Sequence, residues 1–104
     1  MKNFVKIMEN VENLVKGCEG YVEYGFIPDE NVVSVRVFEY DDYAEYCDDL
    51  EYYNFTLVFS ELFEQIKTQC NDLAENIKSY VPTDADKMCY GYFNYREILI
   101  TPRD

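Results

Sequence analysis

The sequence predicts an α+β fold, a short antiparallel sheet with two amphipathic helices packed on it. Three observations carry that expectation. Phe4, Met8, Val11, Val15 and Cys18 recur at steps of 4, 3, 4 and 3, one face of a helix. Phe63, Ile66, Cys70, Leu73, Ile77 and Tyr80 form a second such stripe. Between them Val32–Tyr40 is rich in β-branched residues and partly alternates, as a strand does. At 104 residues the chain is read as one domain, 1–104. It is 48% hydrophobic and 17% aromatic, which sets it apart from acidic disordered chains, poor in aromatic residues.

Taken in order, the first helix is expected over about residues 2–16, with Gly17 and Gly20 ending it. Tyr21–Ile27 reads as a strand. Pro28, Asp29, Glu30 and Asn31 supply a turn, and Val32–Tyr40 returns as the second strand of a hairpin. Residues 41–53 fit a short helix or an irregular loop, the helix being slightly favoured by the steps between Tyr40, Tyr43, Cys47, Leu50 and Tyr53. Phe55–Phe59 reads as a third strand. Ser60 resembles an N-cap, with Glu61 and Glu64 in the first turn of a helix that runs to about Tyr80. Pro82 ends it, residues 82–87 form a polar loop, and Tyr90–Ile100 is the last strand. The expected order is α-β-β-(α)-β-α-β.

The charge is unevenly placed. The chain carries 21 acidic and nine basic residues, a net charge of −12. Between Arg36 and Lys67 there is no base, yet there are nine acids: Glu39, Asp41, Asp42, Glu45, Asp48, Asp49, Glu51, Glu61 and Glu64. Without those nine, the remaining twelve acids and nine bases leave only −3. Seven of the nine fall within residues 39–51, interleaved with Tyr40, Tyr43 and Tyr46. Ordinary helix surfaces mix signs at i,i+4, where each opposite pair contributes a few tenths of a kcal/mol. Repeated like charges cost similar amounts, so the block is either a solvated surface or a surface that meets something positive.

Spacing favours the second reading. Twelve helical steps cover about 18 Å. Seven carboxylates over that length give one per about 2.6 Å, near the phosphate spacing of about 3.4 Å along one DNA strand. Such a row can stand in for phosphates before Arg and Lys side chains. Tyrosines add rigid contact area of the type found at interface hot spots. The expected contact residues are Glu39, Asp41, Asp42, Tyr43, Glu45, Tyr46, Asp48, Asp49 and Glu51.

Other chemistries fit less well. A chain with no His lacks the commonest general base and the commonest metal ligand. Cys18, Cys47, Cys70 and Cys89 form no C-x-x-C pair, so they read as reduced thiols, not as a zinc site. A calcium loop started at Asp41 puts Tyr at positions 6 and 12, where Gly and Glu belong; started at Asp42 it puts Ala at position 3 and Tyr at position 5. No phosphate-binding Gly-rich loop or nucleophile elbow is present, so no enzyme, no cofactor and no metal is expected. The run Tyr90–Tyr95 resembles the aromatic strand of an RNA-binding sheet, but its flanks are not basic, so no direct nucleic-acid binding is expected. Met1–Gly17 is amphipathic and unlike an export signal, and no apolar run reaches the ~20 residues of a membrane span. A cytoplasmic protein is the resulting expectation.

Small size, acidity, abundant Tyr, few prolines and the α+β pattern together resemble the small inhibitors encoded by phages and mobile elements. In particular the chain resembles anti-CRISPR proteins that block the RNA-guided nuclease of type II CRISPR systems. The resemblance lies in overall style across the whole chain. It implies that Asp41, Asp42, Glu45, Asp48 and Asp49 would face arginines that normally hold DNA, in a host cell's cytoplasm. The alternative readings are an immunity protein that neutralises a basic, nuclease-type toxin, and an acidic calcium-binding or structural module.

Overall fold

The structure, a computed structural model, describes residues 2–18, 21–39, 55–81 and 94–103. In chain order the elements are α1 (Asn3–Leu14), β1 (Val22–Ile27), β2 (Val32–Glu39), α2 (Phe55–Cys70), β3 (Ala74–Tyr80) and β4 (Asn94–Pro102). The fold is α+β: two helices on one antiparallel four-stranded sheet of order β1-β2-β4-β3. Because β2 and β3 each run antiparallel to β4, they point the same way. Thus β2–α2–β3 is a split β-α-β unit with β4 inserted between its strands.

The amphipathic pattern of α1 buries Ile7 and Val11 completely and packs Phe4, Met8 and Leu14 at the flanks of the core. The helix starts with no side-chain cap and no acid in its first turn. It ends in a turn closed by the Cys18 N–H donating to the Val15 carbonyl at 2.9 Å. Gly17 sits in that turn at φ 87°, where a Cβ would be strained. The expected β1–β2 hairpin forms, with Ile27 paired opposite Val32. In its turn the Asn31 N–H donates to the Pro28 carbonyl at 3.2 Å. Asn31 takes the left-handed conformation, φ 52°, that Asn tolerates better than most residues.

The second half departs from the sequence expectation. Phe55–Phe59 is not a strand but the beginning of α2, and Ser60 is the sixth residue of that helix, not its N-cap. Phe and Val favour strands, yet the stripe of Phe59, Leu62, Ile66 and Cys70 continues the 3.6-residue period toward the N-terminus. Burial against the sheet outweighs the local propensity, which spans only about 1 kcal/mol. The helix ends at Cys70, ten residues earlier than expected, with Lys67 in its last turn, where the helix dipole favours a cation. Leu73 lies in a turn, and Ile77 and Tyr80 belong to β3. The order among the described residues is therefore α-β-β-α-β-β, not α-β-β-(α)-β-α-β.

Beyond Cys70 the expected stripe crosses two elements: Leu73 in the turn and Ile77 in β3 both pack against the core, whereas Tyr80 is exposed. Ala74 pairs with Pro102 and Ile77 with Ile100, with a register shift between Ala74 and Asn76. The extra residue resets the alternation, so Ala74 and Ile77 face the same side at a helix-like step of three. The last strand is Asn94–Pro102, two residues past the expected end. Its expected first part, residues 90–93, lies outside the described residues, as do Gly20, the loop 82–87 and the segment 41–53.

The core lies between the helices and one sheet face. Ile7, Val11 and Val15 from α1 and its C-terminal turn meet Phe59, Leu62, Ile66 and Cys70 from α2 over Val33, Val35, Val37, Ile98 and Ile100. Alternation sends Glu23, Ser34, Arg36, Phe38, Tyr95, Glu97 and Leu99 to the opposite face.

Candidate functional site

The acidic block begins where β2 ends. Glu39 is the last residue of β2, and its backbone is opposite Asn94, the first residue of β4. The central ladder of the sheet therefore fixes the point from which the block departs. Asp41, Asp42, Tyr43, Glu45, Tyr46, Asp48, Asp49 and Glu51 lie outside the described residues, so their expected helix or loop and their mutual geometry do too. Glu61 and Glu64, the other two acids of the base-free window, are exposed on α2. Glu64 Oε1 lies 3.1 Å from Lys67 Nζ, so part of that charge is locally balanced. The dense charge thus reduces to the seven acids of residues 39–51.

The sheet face opposite the helices carries a polar cluster that the sequence reading missed. Glu23, Arg36 and Glu97 lie in one row across β1, β2 and β4. Arg36 Nε is 3.8 Å from Glu23 Oε2, and Arg36 Nη1 is 3.7 Å from Glu97 Oε2. Ser34, wholly buried, donates its hydroxyl to the same Glu97 oxygen. The Arg36 and Glu97 side chains are only 16% and 13% exposed, so water screens this pair poorly. Next to it Phe38 and Tyr95 face each other with ring centroids 5.7 Å apart. The cluster ties three strands together immediately before β2 releases the acidic block. Its signal in the sequence is an Arg and a Ser alternating with Val in the most β-branched stretch of the chain, but the carboxylates that meet them come from other strands.

Chemically reactive groups are few. Among the described residues, no group of three or more His, Cys, Asp or Glu is placed to hold a metal ion. Cys18 and Cys70 are free thiols. Burial pushes the Cys70 thiol above its ordinary range, with a hydrogen bond from Asn10 opposing the shift. Among the described residues, no helix is long and apolar enough to cross a membrane. In comparisons with known proteins, no family model, no curated sequence and no solved structure matches the chain.

Proposed function

We propose that this protein is a binding inhibitor, not an enzyme, that occupies the nucleic-acid-binding surface of a basic protein in the cytoplasm. The observation that carries the reading is charge placement: seven carboxylates and no base in residues 39–51, which supply seven of the chain's twelve net negative charges. Glu39, Asp41, Asp42, Glu45, Asp48, Asp49 and Glu51 take the place of phosphates, and Tyr43 and Tyr46 supply the rigid contact area. The β2–β4 pairing at Glu39 and Asn94 supports this reading, because a block anchored to a sheet loses less entropy on binding than a free acidic tail. An RNA-guided nuclease of a type II CRISPR system is the partner suggested by the chain's resemblance to anti-CRISPR proteins.

The test is capture of such a nuclease by the purified chain, with and without competing duplex DNA. The reading requires capture that DNA abolishes. Capture unaffected by DNA would contradict phosphate mimicry, and absence of capture would remove this partner.

A further inference from the structure

The opposite end of the sheet carries a different surface. Along β2, Val32 is seven residues from Glu39, about 23 Å at strand spacing. At that end a cavity of about 430 Å³ opens between the start of α1, the β1–β2 turn at Asn31 and the end of β4. Phe4 and Phe26 form one wall, stacked with ring centroids 4.1 Å apart and planes 11° from parallel. Pro102 adds a further apolar surface, and Lys2 and Arg103 line the rim. The Asn3 side-chain amide donates to the Arg103 carbonyl, which fastens the helix start to the strand end and fixes the cavity's width.

This rim carries two cations in an acidic chain. Acids outnumber bases 21 to nine. No carboxylate is among the residues that line the cavity, and among the described residues no ion pair involves Lys2 or Arg103. Two cations beside an aromatic wall, with no carboxylate among the lining residues, are the complement of one ligand chemistry. The Glu23–Arg36–Glu97 cluster offers no such complement, because its carboxylates already neutralise its cation.

We propose that this cavity binds a small molecule that joins an aromatic ring to an anionic group. The ring lies against Phe4, Phe26 and Pro102, and the anion sits between the Lys2 ammonium and the Arg103 guanidinium, which can engage carboxylate or phosphate oxygens in pairs. The volume is within the range of small-molecule sites, roughly 300–1,000 Å³. A nucleoside monophosphate and an aromatic carboxylate both have this chemistry. The site shares no residue with the acidic block, whose first residue, Glu39, ends β2.

The test is a ¹H–¹⁵N NMR titration of the full chain with AMP, benzoate, adenosine and inorganic phosphate. Saturable shifts are expected at Lys2–Val5, Phe26, Asn31 and Arg103 with AMP or benzoate. Whichever of the two responds at lower concentration identifies the anion's source. Adenosine and phosphate alone should bind at least roughly tenfold more weakly, because each supplies one half of the contact. The double variant K2Q/R103Q should keep the rest of the spectrum and weaken binding by a similar factor, while Lys16→Gln, in the turn that follows α1, changes nothing. Absence of localised shifts with both AMP and benzoate at millimolar concentration would overturn the proposal. So would phosphate matching AMP and benzoate, or K2Q/R103Q retaining full affinity.

Discussion

Arg36 and Glu97 are cross-strand partners on β2 and β4, and their nearly buried side chains approach to 3.7 Å on the sheet face opposite α1 and α2. This pair sits in the middle of the row that links β1, β2 and β4. Removing one member leaves the other charge without its counterpart in a poorly hydrated place. Arg36→Met is therefore expected to cost about 2 kcal/mol, measured by urea unfolding. The double variant R36M/E97Q should recover part of that loss, since the amide keeps an acceptor for Ser34 without a charge. Equal destabilisation by the single and double variants would mean that the pair is not energetically coupled.

The position of Ser60 distinguishes two descriptions of the middle of the chain. A proline at a helix start is tolerated, whereas in a helix interior it removes a hydrogen bond and clashes with the preceding turn. Ser60 is exposed and lies in the second turn of α2, so packing is not at stake. Ser60→Pro is expected to destabilise the fold by about 3 kcal/mol or more in thermal or urea unfolding. A loss below about 1 kcal/mol would return the helix boundary to Ser60.

Cys70 should report on pH. Its folded thiol holds its proton more tightly than the unfolded thiol, whose ordinary value is 9.0. Below that value both states are protonated and the thiol contributes no pH dependence. As pH rises above it, the unfolded state loses the proton first, so stability falls. Cys70→Ala should thus lower stability at neutral pH, by removing buried volume, yet show a shallower decline above pH 9 than the parent chain. Without denaturant, Cys70 should also react with iodoacetamide more slowly than the half-buried Cys18. A parallel decline in both proteins, or equal alkylation rates, would contradict this.

Gly17 and Gly25 should respond oppositely to alanine. Gly17 holds φ 87°, so Gly17→Ala is expected to cost about 1 kcal/mol. Gly25 lies in edge strand β1 with no atom within 4 Å of a built Cβ, and its φ is not positive. Gly25→Ala should be neutral or stabilising by up to about 1 kcal/mol, because it restricts the unfolded chain. Melting temperatures of the two variants give the comparison directly.

What was legible in the sequence is what local patterns determine. The stripe from Phe4 to Val15 gave α1, and the β-branched run from Val32 gave β2, because each pattern lies within a single element. The boundary between α2 and β3 was not legible. Phe55–Phe59 has strand-like residues, yet Phe59 extends a helical face, whereas Leu73 in a turn and Ile77 in an edge strand fall at helical steps from Cys70. Both depend on what packs opposite, which no local window contains. The acidic site was legible as charge, since charge is a property of composition. The Glu23–Arg36–Glu97–Ser34 cluster was not, because it exists only once the strand register brings three strands together.

The proposed function makes the block that begins at Glu39 a specific contact surface. The most direct measurement compares the affinity and salt dependence of D48K/D49K and E9K/E12K for the captured partner. Each double variant changes the charge by four units, so diffuse attraction alone affects them alike. Glu9 and Glu12 are exposed on α1 and belong to a different part of the sequence. D48K/D49K is expected to keep its fold and lose about 2–5 kcal/mol of binding, with slower association and a weaker salt dependence, while E9K/E12K binds almost as the parent does. Equal losses from both pairs, or none from D48K/D49K, would contradict the claim.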